Sequence, residues 1–234
     1  MPPGSENLSF AILSSLEATL MSMKYMTSVV LRSSLENLGS VENAMRRARC
    51  DRPLDVLLLD ASDHDPQMLD VVAAARSNPK IRCCIVLHRG CGEFGTQAFV
   101  RGADDVVHWQ CSSQELAARI FVRLGLQVEK SRLLLSKTNW ETEAYITQRA
   151  GLTVAESQIL RVLMDHLGEI VSRDELSYAV DDRPWRYGDR KFDVHVAKIR
   201  RKLSGQFDGK LSVSTVRALG YLAEADGTKL FAKT

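Results

Sequence analysis

The stretch that decides the fold of the second half of this chain runs Asp189-Arg-Lys-Phe-Asp-Val-His-Val-Ala-Lys-Ile-Arg-Arg-Lys-Leu203. Helical periodicity brings its apolar residues onto one face, which consists of Phe192, Val196, Ile199 and Leu203. The opposite face and its flanks carry Arg190, Lys191, Val194, His195, Lys198, Arg201 and Lys202. The pattern predicts a helix over 189–203 that packs on a core and presents cations outward.

The signals around this helix predict two helices before it and a hairpin after it. Thr153 with Glu156, and Ser172 with Glu175, have the spacing of capping boxes, which open helices. Glycines at 205 and 209 are expected to bracket a turn, and two strands are then predicted at 211–216 and 221–223. Three helices and a hairpin predict an α+β winged helix-turn-helix with 189–203 in the recognition position.

The charge distribution along the chain points to one binding face. Residues 189–203 hold six Lys and Arg side chains and two acids, whereas the net charge of the chain is only +2. A helix that lies in the major groove needs such cations, because they reach phosphates and guanine edges. A solvated basic face is the alternative for the helix alone, and a protein-interaction module is the alternative for the domain.

The first half of the chain alternates short apolar runs with helical patterns. Strands are predicted at 8–13, 29–31, 56–59, 84–87 and 106–107, and helices at 16–25, 41–49, 67–76, 95–100 and 113–124. This alternation predicts an α/β fold with a doubly wound parallel sheet, because each parallel crossover needs a helix. The apolar run Val56-Leu-Leu-Leu59 does not alternate, which is typical of a strand buried on both faces.

We therefore predict two domains. Residues 1–125 form the first domain, the polar segment 126–132 is a linker, and residues 133–234 form the second domain. Within the second domain, 133–150 is predicted to contain two or three short strands with a turn near Asn139.

Four strings in the second domain resemble the output domain of OmpR/PhoB-type response regulators. They are Leu152-Thr-Val-Ala-Glu-Ser-Gln-Ile-Leu160, Ile170-Val-Ser-Arg-Asp-Glu-Leu176, Asp193-Val-His-Val-Ala-Lys-Ile-Arg-Arg-Lys-Leu203 and Thr215-Val-Arg-Ala-Leu-Gly-Tyr221. They occur in order within residues 133–225. The resemblance implies a sequence-specific transcription regulator that binds double-stranded promoter DNA.

The resemblance also implies roles for individual residues. Base or groove contacts are implied for Arg190, Val194 and Lys198, and backbone contacts for His195, Arg200, Thr215 and Arg217. Lys191 and Arg201 complete the predicted DNA-binding set, and an Arg at the wing tip, here Arg217, can enter a narrow minor groove. The loop 181–188 matches a segment that often touches RNA polymerase in this family. Trp185 in that loop is either a partner contact or a lid on the core.

The same family places a flavodoxin-like receiver domain first, and residues 8–125 fit its outline. Asp60 ends the third predicted strand, where the family has its phosphoacceptor. The other positions that the family uses there hold different residue types, namely Ser14, Ser15, His88, Val106, Trp109 and Gln110. Phosphoryl transfer to a carboxylate needs a metal ion and a cation, and serine is a poor ligand for Mg²⁺. The resemblance therefore implies a degenerate receiver.

We expect Asp60 to remain unphosphorylated and to pair with His88 or Arg89. A conventional regulator phosphorylated at Asp60 is the alternative, with Asp63 or Asp65 as a substitute metal ligand. Family receivers dimerise through cross-chain ion pairs, so we expect a constitutive homodimer that binds direct repeats. The residues predicted for this interface are Arg101, Asp104, Asp105, Arg119 and Arg123.

Several other classes of protein are disfavoured by the sequence. No apolar run is long enough for a transmembrane helix and no signal peptide is evident, so we expect no membrane association and a cytoplasmic location. The five cysteines have no zinc-site spacing, so small buried side chains are favoured over a redox switch. No catalytic, metal or cofactor motif is present, so we expect neither enzymatic activity nor a cofactor.

Overall fold

A computed structural model of the chain describes residues 8–62, 65–90, 92–126 and 139–226. The chain divides into two compact units, Met1–Leu135 and Ser136–Thr234. All but the first residue of the predicted linker 126–132 lies outside the described residues. The predicted domain boundaries therefore stay predictions.

The described part of the first unit is a five-stranded parallel sheet with helices between its strands. The strands are β1 (Ser9–Leu13), β2 (Ser34–Asn37), β3 (Leu54–Asp60), β4 (Ile81–His88) and β5 (Asp105–His108), in the spatial order β2-β1-β3-β4-β5. The helices are α1 (Glu17–Lys24), α2 (Val41–Ala48), α3 (Gln67–Arg76), α4 (Gly92–Val100) and α5 (Ser113–Arg123). This order is that of a flavodoxin-like doubly wound fold, and it confirms the predicted fold class.

The central strand explains why its sequence does not alternate. Residues Val56 to Leu59 of β3 are all 0% exposed, because β1 and β4 flank the strand and apolar side chains cover both faces. Asp60 follows them at the carboxyl end of the strand and is 5% exposed. The sheet therefore brings this carboxylate to the edge at which ligands bind in open α/β folds.

The strand predicted at 29–31 is wrong. Residues Tyr25–Val30 form a π-helical turn that continues α1, and the second strand is β2, four residues long. Val29 and Val30 are buried at the end of this helical segment, and a short buried apolar run does not distinguish a strand from a helix. Because β2 is a half-exposed edge strand with the sequence Ser-Leu-Glu-Asn, it lacks the apolar signal of a core strand.

The described part of the second unit is a helical cluster with a small antiparallel sheet. The helices are α6 (Trp140–Ala150), α7 (Val154–Asp165), α8 (Arg173–Asp181) and α9 (Lys191–Phe207). The strands are β6 (Ile170–Ser172), β7 (Leu211–Val216) and β8 (Gly220–Ala225), in the order β6-β8-β7. This arrangement confirms the predicted winged helix-turn-helix.

Local signals placed the helix starts of this unit correctly. Both capping boxes are formed, at Thr153 with Glu156 and at Ser172 with Glu175. The recognition helix α9 is longer than predicted, because Gly205 lies inside it and the chain leaves the helix at Asp208, in the left-handed conformation. Phe207 supplies the reason, since its buried side chain extends the apolar stripe by one more turn.

The strands predicted within 133–150 are wrong for the described residues 139–150. This segment is helix α6, and Asn139 caps it by accepting a hydrogen bond from the amide of Thr142. Residues 133–138 lie outside the described residues. The Thr, Tyr and Ile of this segment favour strands by propensity, but Trp140, Ala144 and Ala150 are buried at helical spacing, and packing overrides propensity.

Candidate nucleic-acid interface

Helix α9 is anchored from behind by its apolar stripe. Phe192, Val196, Ile199 and Leu203 are each at most 1% exposed and pack with Phe207 in the core of the unit. Because these side chains are buried, the helix has little freedom to rotate about its own axis. The opposite face of α9 is therefore presented in a fixed orientation.

The outward face of α9 carries cations that are not used inside the protein. Arg190, Lys198 and Arg201 are exposed, and within the described residues their side chains make no hydrogen bond or ion pair. Val194, half exposed, lies among them. Such a face offers donors for phosphates and guanine edges and an apolar group for a thymine methyl.

Two lysines that flank this face are engaged in ion pairs of the fold. Lys191 bonds both carboxylate oxygens of Asp181 at 2.5 and 2.7 Å, which joins α9 to the end of α8. Lys202 donates to Glu156 at 2.6 Å and to the carbonyl of Gly151. Although burial opposes it, the bond from Lys202 lowers the pKa of Glu156 below its ordinary value. Lys191, predicted to contact DNA, is thus already paired.

Arg200 and Thr215, both predicted to contact the DNA backbone, bond each other. The Arg200 guanidinium donates from Nε to the carbonyl of Val213 at 2.7 Å and from Nη2 to Thr215 Oγ1 at 2.9 Å. Both acceptors lie on β7, the first strand of the wing. No local sequence pattern indicates this connection, because the partners are 13 and 15 residues apart in the chain.

A second connection joins the first turn of α9 to α8 and β8. Asp193 Oδ1 accepts from Tyr221 Oη at 2.6 Å and from Arg173 Nη2 at 2.7 Å. Although burial opposes it, these bonds lower the pKa of Asp193. Burial and the bond to Asp193 raise the pKa of Tyr221. At neutral pH the carboxylate of Asp193 is therefore ionised and the phenol of Tyr221 is neutral. In these states the carboxylate accepts both hydrogen bonds and joins α9 to α8 and β8.

His195 lies on the flank of α9 and is half buried. Its Nδ1 atom is buried and has no hydrogen-bond partner among the described residues. A buried N–H without a partner costs more than a buried unprotonated nitrogen of the same ring, so this geometry favours the tautomer with the proton on Nε2. In that tautomer Nε2–H is the hydrogen-bond donor of the ring.

The wing tip is a tight turn that exposes its side chains. Arg217 is exposed, Leu219 is 58% exposed, and Ala218 between them adopts a left-handed φ of 63°. The amide of Leu219 closes the turn on the carbonyl of Val216. Arg217 makes no hydrogen bond or ion pair with the described residues, so its guanidinium is available to a ligand at the tip.

The loop 181–188 presents one aromatic side chain and uses another internally. Trp185 packs against the core and donates from Nε1 to the carbonyl of Asp189 at 3.1 Å, so it is a lid rather than an exposed contact. Tyr187 is 98% exposed and lies edge-on to Trp185. Tyr187 is thus the aromatic side chain of this loop that a partner can reach.

In the first unit, two serines surround the carboxylate of Asp60. Ser14 Oγ donates to Asp60 Oδ2 at 2.6 Å, and the hydroxyl and amide of Ser62 bond Oδ1. Arg89 stacks on the ring of Trp109 at 4.6 Å, and His88 lies edge-on to the ring of His108, so the predicted pairing of Asp60 with either residue stays a prediction. Each oxygen of the Asp60 carboxylate thus accepts a hydrogen bond from one of the two serines.

Of the two substitute metal ligands proposed for this pocket, the structure describes Asp65. Asp65 uses Oδ1 to accept from the amide of Gln67 at the start of α3, and Asp63 lies outside the described residues. Among residues 8–62, 65–90, 92–126 and 139–226, no cluster of three or more His, Cys, Asp or Glu is placed to hold a metal ion. No helix within these same ranges is long and apolar enough to span a membrane.

The charges predicted for the dimer interface pair within the chain. Arg101 pairs with Asp70 at 3.1 Å, and Asp105, which is 4% exposed, pairs with Arg119 at 3.3 Å and Arg123 at 3.6 Å. The side chain of Asp104 accepts from the amide of Cys84 at 2.7 Å. These contacts stabilise the fold of the unit itself, and the predicted interface stays a prediction.

Two of the cysteines that the structure describes fit a packing role. Cys83 and Cys84 lie in β4 and are at most 2% exposed. Burial raises the pKa of the Cys83 thiol to about 12 and also raises that of Cys84, so neither forms the reactive thiolate at neutral pH. Cys50 is exposed, and Cys91 lies outside the described residues.

Comparison with known proteins finds relatives across most of the chain. Residues 147–223 match the family described as "Transcriptional regulatory protein, C terminal". The chain is 29% identical over 187 residues to the transcriptional regulatory protein CpxR of Escherichia coli, covering 74% of this chain and 80% of CpxR. It is 30% identical over 176 residues to the transcriptional activator protein PfeR of Pseudomonas aeruginosa, covering 72% of this chain and 58% of PfeR.

Among solved structures, the DNA-binding domain of CpxR from E. coli is 38% identical, with a TM-score of 0.29 over 32% of this chain and 72% of that domain. The matched residues 147–223 contain α7, α8, α9 and most of the wing, which together hold the interface described above. Residues 147–223 therefore match a transcriptional regulatory C-terminal domain, and the chain is a homologue of OmpR/PhoB-type DNA-binding transcription regulators.

Proposed function

We propose that this regulator reads promoter DNA with the outward face of α9 and the tip of its wing. The observation that carries the proposal is the set of exposed cations that the fold does not use, on a helix whose other face is buried. Arg190, Lys198 and Arg201 would enter the major groove with Val194, and Arg217 would enter the minor groove. Lys191, His195, Arg200 and Thr215 border this surface. His195 would contact the backbone from its edge, whereas the polar groups of Lys191, Arg200 and Thr215 are bonded within the fold.

We also propose that binding does not depend on phosphorylation. Phosphoryl transfer to Asp60 requires a free carboxylate oxygen and a metal ion beside it. Here Oδ2 is bonded to Ser14 and Oδ1 to Ser62, and both neighbours are neutral hydroxyls that bind Mg²⁺ weakly. A carboxylate held by two serines is a structural group, and the receiver-like unit would serve as an assembly module that is always in one state.

The assembly we propose is a homodimer through the receiver-like unit, on direct repeats of DNA. A dimer raises the effective concentration of the second winged helix at its half-site. The predicted interface charges have partners within the chain, and the same elements also expose Val100 on α4 (81%) and Val122 on α5 (66%). RNA polymerase is the proposed partner of the loop 181–188, through Tyr187. Binding to chromosomal DNA would imply a cytoplasmic location. We propose no catalytic role.

Selection of full-length protein on a randomised duplex pool, followed by sequencing, tests the proposal. We expect a direct repeat spaced by about one helical turn to be enriched without any phosphodonor. Lys198→Ala should weaken binding to the selected site, whereas Lys80→Ala, which removes the same charge from an exposed site in the first unit, should not. If no site is enriched, or if Lys198→Ala and Lys80→Ala weaken binding equally, the assignment of α9 as the DNA-reading helix is contradicted.

The alternative, a conventional phosphorylated regulator, is tested with the same DNA. Asp60→Asn and wild type should bind equally, and a small-molecule phosphodonor should change neither. Incorporation of phosphoryl label at Asp60, together with a rise in affinity that Asp60→Asn abolishes, would overturn phosphorylation independence and leave the DNA-binding face unaffected.

A further inference from the structure

The wing is attached to the recognition helix by two hydrogen-bonded ties. Arg200 in the middle of α9 bonds the Val213 carbonyl and the Thr215 hydroxyl of β7. Asp193 in the first turn of α9 bonds the Tyr221 hydroxyl of β8. The ties thus leave different turns of one helix and end on different strands of one hairpin.

The two ties end on the same rung of the hairpin. Thr215 and Tyr221 are direct partners in the antiparallel register, and only the pair Val216 and Gly220 lies between them and the turn. Arg217 follows two residues after Thr215. The hairpin is therefore held to α9 at nearly the last point before the tip that carries the proposed minor-groove Arg.

The wing needs such a restraint, because its outer strand is weakly supported. In the sheet order β6-β8-β7, β7 is an edge strand, and among the residues that the structure describes its only neighbouring strand is β8. An edge strand, which is paired on one side, twists and bends more readily than a strand that is paired on both sides. Arg200 adds two hydrogen bonds from α9 to those that β7 makes with β8.

We infer that Arg200 is a positioning residue that sets the wing tip relative to α9, with Asp193–Tyr221 as a second clamp. This inference rests on the proposed function, in which α9 reads the major groove and Arg217 the minor groove. Because both readers are held as one unit, a correct fit in one groove places the other reader without further loss of freedom. Loosening Arg200 should therefore weaken the contribution of the wing, while the reading by α9 is kept.

The experiment uses the full-length chain with Arg200→Met, which keeps the apolar stem and removes the donors. Arg201→Met is the matched control, because the neighbouring Arg is exposed and makes no side-chain bond within the described residues. Tyr221→Phe removes only the hydroxyl of the second tie, and it serves if Arg200→Met does not fold. Two quantities are measured: the backbone order parameters of residues 214–221 in the free protein, and the ratio of affinities for selected sites with A·T or G·C pairs beneath the wing.

We expect Arg200→Met to lower the order parameters of 214–221 and to reduce the A·T to G·C affinity ratio by about fivefold, towards the ratio of Arg217→Met. Tyr221→Phe should act in the same direction. Arg201→Met should weaken binding to both sites alike and leave the ratio and the order parameters unchanged. In Arg200→Met the additional change Arg217→Met should have little further effect on the ratio.

A wing that stays as ordered in Arg200→Met and Tyr221→Phe as in wild type would overturn the inference. So would an Arg200→Met protein that loses affinity for both sites equally, as Arg201→Met is expected to do. A wild-type protein that binds no DNA, or whose affinity ratio ignores Arg217→Met, would instead overturn the proposed function. The order parameters would still decide whether Arg200 holds the wing, so the two failures are distinguishable.

Discussion

At the scale of single residues, buried polar groups of this protein are held by partners distant in the chain. Glu156 is 3% exposed and bonds Lys202, which lies 46 residues later. Asp60 is 5% exposed and bonds Ser14, 46 residues earlier. A buried charge or hydroxyl without its partner costs the full price of desolvation, so these pairs are the sites at which one substitution has a large effect.

Replacing Glu156 by Gln should destabilise the second unit in a pH-dependent way. The amide keeps the capping box but loses the ion pair with Lys202, so we expect a loss of about 2 kcal/mol at pH 7. The folded pKa of Glu156 is lowered from 4.5, so its stabilisation is present above that pH and disappears as the pH falls through the folded pKa. Urea unfolding at pH 7 and at pH 3 should show the difference from wild type shrink. Glu224→Gln, at an exposed site, is the control, and an equal difference at both pH values would contradict the assignment.

Replacing Asp60 by Ala should cost about 1–3 kcal/mol, because it leaves the hydroxyls of Ser14 and Ser62 without their acceptor. Asp60→Asn should cost less, since the amide still offers bonds to both and the serine hydroxyls can reorient. Thermal unfolding of the full chain measures both. If Asp60→Ala were as stable as wild type, the carboxylate would not be the hydrogen-bonded hub that the structure places there.

At the scale of secondary-structure elements, the small sheet of the second unit depends on one close approach. Gly220 begins β8 and faces Ser172 of β6 across the strand pair. A methyl group added at Gly220 would collide with the carbonyl of Val171, which is backbone and has no rotamer to move into. The wing can therefore pair with β6 only where this residue has no side chain.

Gly220→Ala is expected to separate β8 from β6 and to lower stability by about 2–3 kcal/mol, through overpacking against backbone. Amide hydrogen exchange should show lost protection in β6 and β8. Gly209→Ala is a useful comparison, because a methyl group there meets no atom within 4 Å, so its effect arises from the positive φ alone. Protection that survives Gly220→Ala would mean that the sheet can shift to accept the methyl group.

At the scale of the whole molecule, DNA binding should be governed by the number of unpaired cations on each copy. Arg190, Lys198, Arg201 and Arg217 are exposed cations of α9 and the wing whose side chains make no bond with the described residues. Lys191, Lys202 and Arg200 already have partners in the fold. The salt dependence of affinity therefore reports which cations meet phosphates and how many copies bind at once.

For a single half-site we expect the slope of log K against log salt concentration to be about −4, and about −8 for a tandem site bound by a dimer. Lys198→Ala should reduce the magnitude by about one per copy, and Lys80→Ala should leave it unchanged. Fluorescence anisotropy across a salt series measures the slopes, and sedimentation at micromolar concentration gives the oligomeric state. A monomer in solution with the same slope on both DNAs would contradict the dimer.

The predictions that succeeded rest on short-range patterns. Helical spacing over 189–203, the capping boxes at Thr153 and Ser172, and the non-alternating run before Asp60 each involve residues within a few turns of one another. The predictions that failed concern segments whose residue types fit more than one structure. Val29 and Val30 suit a strand or a buried helix end, and the Thr, Tyr and Ile of 139–150 suit a strand until Trp140 and Ala144 are buried together.

The sequence by itself therefore determined the class of both folds, the recognition helix with its two faces, and the loss of the usual residues around Asp60. Periodicity and capping decide these features, because they act between residues that are close along the chain. Only the tertiary structure decided that Ser14 and Ser62 hold Asp60, that the charges near Asp105 pair internally, and that Arg200 and Asp193 hold the wing. Such partners are brought together by folding across separations of up to 46 residues, and no local pattern selects one among the many side chains that could serve.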